Sequence, residues 1–133
     1  MESISWFVPI LPGKLDAWKA FTEESKARMD EHARSRRRAG ITRELAALVQ
    51  TPQGDFTSVF LEAEDLSQAF KSMLASEDPY DKWFVAKTEE VHGMTREMYE
   101  RPLPATVYFD YRSDEKARQT ERPREAAASS DTE

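Results

Sequence analysis

The sequence predicts an α+β domain in which four antiparallel strands form one sheet and helices cover one of its faces, in the order β-α-β-β-α-α-β. Three observations carry this expectation. Apolar and β-branched residues alternate at period two in Ser3–Ile10, Phe56–Ala63 and Thr106–Tyr111, as half-buried strands require. Apolar residues recur at helical spacing in the stretches between them. The four glycines and most of the seven prolines fall at the junctions, where a positive φ or a missing N–H costs least.

In Ser3–Ile10 the apolar face is Ile4, Trp6, Val8 and Ile10, with Phe7 on the other side. From Lys14 to Arg38 one helix is expected, with Leu15, Trp18, Phe21 and Met29 on its buried face. Acidic Asp16, Glu23 and Glu24 lie toward its start and Arg34, Arg36, Arg37 and Arg38 at its end, the polarity that suits a helix dipole. Gly40 reads as its exit. Ile41–Gln50 fits helical spacing as well as a strand. The Thr51-Pro52-Gln53-Gly54-Asp55 turn that follows, leading into Phe56–Ala63, decides for a strand and a hairpin. Asp65 is positioned to cap a helix carrying Leu66, Phe70, Met73 and Leu74. Asp78-Pro79 opens a second helix with Tyr80, Trp83, Phe84, Lys87 and Val91 at helical spacing, stopped by Gly93. Met94–Pro104 reads as a loop, and Thr106–Tyr111 as the closing strand, with Val107, Phe109 and Tyr111 on one side and Tyr108 on the other.

At 133 residues with 39% hydrophobic content the chain has room for one core. The expected domain is 1–112, followed by a charged, Ala- and Ser-rich tail at 113–133 that lacks the apolar surface to stay ordered alone. A net charge of −6, with 15 basic and 19 acidic residues in 1–112, argues against nucleic acid as the principal partner. The absence of cysteine excludes disulfides, thiolate metal sites and a cysteine nucleophile. No run approaches the roughly 20 apolar residues of a membrane span. Met1–Leu11 also lacks a basic region and a cleavage site. A cytoplasmic protein without membrane contact is the expectation.

A hairpin flanked by crossovers is the pattern of a split βαβ, ferredoxin-like sheet. Its strands carry large apolar residues on both faces: Ile4, Trp6 and Val8 against Phe7, Val59 and Leu61 against Phe56 and Phe60. With helices on one side only, the second face would expose an apolar patch that monomers rarely tolerate. A homodimer closed through its sheet faces is therefore expected.

The opening strand followed by Leu11-Pro12-Gly13-Lys14, the Thr51–Asp55 hairpin, Glu62-Ala63-Glu64-Asp65, and Asp78-Pro79-Tyr80-Asp81-Lys82-Trp83-Phe84 together resemble the dimeric α+β barrel superfamily. The similarity extends over roughly residues 3–111 and is greatest to small uncharacterised bacterial members related to antibiotic-biosynthesis monooxygenases. It implies two subunits whose sheets pack face to face. It also implies chemistry drawn from cofactor-independent oxygenation, isomerisation or haem degradation, because one fold hosts many activities.

No cofactor is expected from the residues, and haem is the one alternative. Haem-degrading members use a helical histidine as iron ligand with a nearby tryptophan, which His92 and Trp83 resemble. The spacing differs from theirs, and Ser3 and Ser5 provide no counterpart to their strand-one asparagine. The structural reading has His92 closing a helix and Trp83 in the core. His32, three residues after Met29, is a candidate general base lining a pocket or a satisfied helix-end histidine. Asp110, between Phe109 and Tyr111, is a candidate acid or base, or a partner for Arg43. The arginine cluster reads as a solvated helix end. Two distant histidines supply no metal ligand set.

The leading expectation is a homodimer that binds a small apolar or aromatic molecule between helices and sheet. Trp6, Trp18, Phe21, Trp83 and Tyr108 would form its walls, with His32 or His92 as the polar handle. The rival is a non-catalytic dimeric module whose apolar residues build only core and interface.

Overall fold

In the computed structural model, which describes residues 1–113, the opening run forms β1 (Glu2–Pro9). β2 (Ile41–Thr51) and β3 (Gly54–Ala63) form the hairpin, and the sheet order is β1-β3-β2 with both pairings antiparallel. Ile4, Trp6 and Val8 lie opposite Leu61, Val59 and Thr57, while Ser3, Ser5 and Phe7 lie opposite Glu62, Phe60 and Ser58. Because side chains alternate along a strand, the first set faces the helices and the second forms the outer face. At the turn, the Thr51 hydroxyl accepts from the Gln53 N–H at 3.1 Å and donates to the Gly54 carbonyl at 2.9 Å.

β2 carries a bulge between Ile41 and Arg43. The extra residue changes the phase of the strand, so that Ile41 is buried on the inner face together with Glu44, opposite Leu61. This shift explains why the apolar positions of 41–50 match a helical period as well as a strand.

The helix expected over 14–38 is two helices, α1 (Leu15–Ala27) and α2 (Met29–Ala39), separated at Arg28 with φ −106° and ψ 37°. One turn before the break, the Ser25 hydroxyl donates to the Phe21 carbonyl at 3.0 Å, a back-bond that bends helices. Arg28 then bridges Glu24 and Glu31 and lays its guanidinium over the Tyr80 and Trp83 rings at 4.8 and 4.7 Å. α2 ends at Gly40, left-handed at φ 77°. α3 (Leu66–Ala75) is capped by Asp65, which accepts from the Gln68 N–H at 3.0 Å. α4 (Pro79–His92) is capped by Asp78, which accepts from Tyr80 and Asp81 N–H.

Two expectations are corrected at the end of the domain. Within 94–104, expected to be a loop, a short helix α5 (Arg96–Glu100) forms because Thr95 caps it by accepting from the Met98 N–H. Thr106–Tyr111 is not a strand in the single chain, so the described sheet has three strands rather than four. Tyr108 is 95% and Phe109 87% exposed. Among the described residues nothing covers these rings, and a strand gains little from pairing without side-chain burial. The segment is tied down by Arg112, which donates to the Ser3 hydroxyl at 2.8 Å and to Glu62 at 3.2 Å.

The described residues thus form an α+β fold of three antiparallel strands and five helices. One apolar cluster packs Ile41, Leu61, Ala63, Ala69 and Met73, and a second packs Ile10, Trp18, Phe21 and Val91. Phe84 touches both. Residues 114–133, most of the expected tail, lie outside the described residues. No described helix is long and apolar enough to cross a membrane.

Candidate functional site

Between the two core clusters the helices stand off the inner sheet face and leave a cavity of about 300 Å³. Trp6, Val8 and Val59 form its floor, Trp18 and Phe21 of α1 one wall, and Phe70 and Phe84 the roof. Ala46, exposed on the edge strand β2, lines it opposite Thr22, Ser25 and exposed Lys26 of α1. That pairing of an edge strand with exposed residues forms the mouth.

A bonded polar network occupies one end. The break at Arg28 turns α2 so that His32 and Arg36, one turn apart, face β2. Arg36, 6% exposed, gives Glu44 two hydrogen bonds, at 2.8 Å from Nε and 3.1 Å from a terminal nitrogen. His32 Nε2 lies 2.7 Å from the same carboxylate, which only accepts, and Nδ1 lies 2.6 Å from the Tyr80 hydroxyl. Both ring nitrogens are therefore taken. Burial opposes charge on Glu44, but the hydrogen bonds from His32 and Arg36 outweigh it and hold its pKa down at about 2. The guanidinium of Arg36 also lies over the Phe84 ring at 4.4 Å.

The other end lies near the hairpin. Thr57, 3% exposed, lines the cavity, and its hydroxyl oxygen is buried with no hydrogen-bond partner among the described residues. His92, at the last turn of α4, also lines the cavity, with Nδ1 2.8 Å from the Pro9 carbonyl. A carbonyl only accepts, so Nδ1 carries the proton and Nε2 keeps its lone pair. Burial lowers the pKa of this imidazole below its ordinary value, and the bond to Pro9 offsets part of that. Thr88, one turn earlier on α4, donates to the Val85 carbonyl at 2.7 Å and is paired with the Tyr99 hydroxyl.

Of the residues expected from sequence, Trp6, Trp18, Phe21, His32 and His92 line this one cavity. Three do not. Trp83 packs edge-on against Phe21 at 5.5 Å beneath Arg28, outside the cavity, so it does not face a ring held by His92. Tyr108 projects from the segment after α5. Asp110, exposed, lies 3.9 Å from Arg112 rather than against Arg43. The solvated reading of the arginine cluster is corrected at Arg36, which is buried on Glu44; Arg38 is exposed, as expected, while its guanidinium bonds Asp81 at 3.0 Å and Asp78 at 3.1 Å. Glu44, Tyr80 and Thr57 carried no sequence signal for this site. The bulge hid the facing of Glu44, while Thr57 reads as an ordinary strand threonine. No group of three or more His, Asp or Glu side chains among the described residues is placed to hold a metal ion.

Fold and site define an α+β protein with an apolar cavity, open at one edge, between one sheet face and its helices. The chain belongs to a family of unknown function, DUF6176, whose model matches residues 1–109. No curated protein and no solved structure matches it.

Proposed function

We propose that the protein binds a small, mainly apolar or aromatic molecule in this cavity, as a homodimer of ferredoxin-like subunits of the dimeric α+β barrel kind. The observation that carries the reading is the cavity itself: aromatic walls, a mouth at the edge strand, and few polar groups at its ends, the composition of small-molecule sites. Its volume is at the lower end of the roughly 300–1,000 Å³ such sites span. The chemistry that suits it is cofactor-independent proton transfer, as an isomerisation or as the deprotonation step of an oxygenation, with an imidazole as base.

Dimerisation is supported by the outer sheet face. Phe7 is 58% and Leu45 44% exposed there, beside half-buried Phe56 and Phe60. Val107, Phe109 and Tyr111 add exposed apolar surface beside the unpaired edge of β1. In the proposed dimer, Thr106–Tyr111 supplies the fourth strand and the second copy covers this face.

The test is calorimetric titration of the protein with indole and naphthalene derivatives, alongside the variant Ala46→Trp. The exposed position lets the larger ring close the mouth without entering the core. Binding to the wild type that falls at least tenfold in the variant, with an unchanged melting temperature, supports the reading. Absence of binding leaves the non-catalytic dimeric module, which the fully bonded state of His32 favours.

A further inference from the structure

α3 and α4 form one layer with a space on each side. Along α4, Phe84, Thr88 and His92, spaced four residues apart, line the inner cavity. Lys82, Val85, Ala86 and Glu89 line instead an outer groove of about 440 Å³, which α3 and Arg96 of α5 complete. The two sets lie on different faces of one helix. Met73 and Met94 line both spaces, and no other described residue does. The cavity and the groove therefore approach each other at these two side chains.

Resting on the reading of the cavity as a ligand site, we propose that its ligand is a ring carrying an unbranched alkyl chain, and that the chain passes between Met73 and Met94 to lie in the outer groove. Met73 is buried in a core cluster and fixed by it. Met94 lies between α4 and α5, outside both helices and half-buried. Its side chain is unbranched, with three rotatable bonds, and adapts readily to a neighbour. The backbone around it is held, because Tyr99 of α5 is paired with the Thr88 hydroxyl and packs near Phe70. Opening is thus a movement of one flexible side chain, which admits an extended methylene chain rather than a second ring.

The groove suits such a chain. Leu74, Val85 and the two methionines give it an apolar floor. Its rim sets Glu77 and Glu89 against Lys82 and Arg96, with Lys82 paired to Glu77 at 2.9 Å. Balanced charge at the rim favours a neutral chain whose end reaches water. The inner cavity alone, about 300 Å³, stands at the lower end of the roughly 300–1,000 Å³ that small-molecule sites span, and the groove brings the space well inside that range.

The experiment compares 2-(2-naphthyloxy)ethanol with 6-(2-naphthyloxy)hexanol by calorimetric titration of the full chain. The two share ring and terminal hydroxyl and differ only in the length of the methylene chain. Wild type is expected to bind the longer ether about tenfold more tightly, less than full burial of the added methylenes would give, because the groove is open to water. Ala86→Trp fills an exposed groove position that does not line the cavity, and Met94→Ile puts a side chain stiff at χ1 in the passage. Each should reduce the preference for the longer ether to within about threefold. If Met94→Ile fails to fold, Ala86→Trp decides alone. Equal or weaker binding of the longer ether by wild type, or a preference that survives in either folded variant, overturns this inference and leaves the cavity reading standing. Failure of both ethers to bind overturns the two together.

Discussion

Glu44 is the residue on which the polar end of the cavity depends. It balances the buried Arg36 guanidinium and the His32 ring at once. Removing one partner of a buried pair strands the other charge, so Glu44→Ala is expected to cost about 3 kcal/mol in chemical denaturation. The pH dependence follows from the same contacts. With its pKa lowered from 4.5 to about 2 in the fold, Glu44 binds fewer protons folded than unfolded across that interval. Its stabilisation is complete above about pH 4.5 and is lost as the pH falls toward 2. Asp81, also lowered despite its burial because Ser76 and Arg38 bond it, acts in the same direction. The melting temperature is therefore expected to fall through this acid range, and the Glu44→Gln variant to flatten the fall. Thr57 presents the opposite case. Its unpartnered hydroxyl costs stability where it stands, so Thr57→Val is expected to stabilise the ligand-free protein by about 1 kcal/mol in thermal melts.

At the scale of elements, the site depends on where helices start and stop. Without the break at Arg28, α1 would continue in one direction and α2 would not turn His32 and Arg36 toward β2. Gly40 then returns the chain from α2 to the sheet with φ at 77°. A side chain there meets no neighbour but is strained by the backbone itself. Gly40→Ala is expected to destabilise the protein by about 1 kcal/mol, read as a lower denaturation midpoint with an unchanged slope. These stop signals are legible in sequence because they are local: Asp65, Asp78-Pro79 and Gly93 act on the residues beside them. The break at Arg28 was not legible, since no glycine or proline marks it. It is held by contacts from Arg28 to Tyr80 and Trp83 on a distant helix.

For the whole molecule, the outer sheet face and the segment after α5 set the main expectation. Phe7 and Leu45 stand exposed on one side of the sheet and Phe109 beyond it. Sedimentation at micromolar concentration is expected to give a dimer, and Phe7→Asp combined with Leu45→Glu a monomer that keeps its helical circular dichroism. A wild-type monomer would remove the argument from two-faced strands. The cavity faces away from this surface, so a monomeric variant that still binds an aromatic probe separates ligand recognition from assembly.

What the sequence determined by itself was the class of fold, the hairpin, the helix caps and the aromatic set around Trp6, Trp18 and Phe21, because period and capping are properties of neighbouring residues. The tertiary structure alone decided which polar groups meet. Glu44 reaches the inner face only because a bulge shifts the phase of β2, and Arg36 is buried only because that carboxylate receives it. Trp83 and Tyr108, indistinguishable from wall residues by pattern, lie outside the cavity. The closing strand remained unpaired for the same kind of reason. Alternation makes a segment able to be a strand, whereas pairing requires surface against which its side chains are buried.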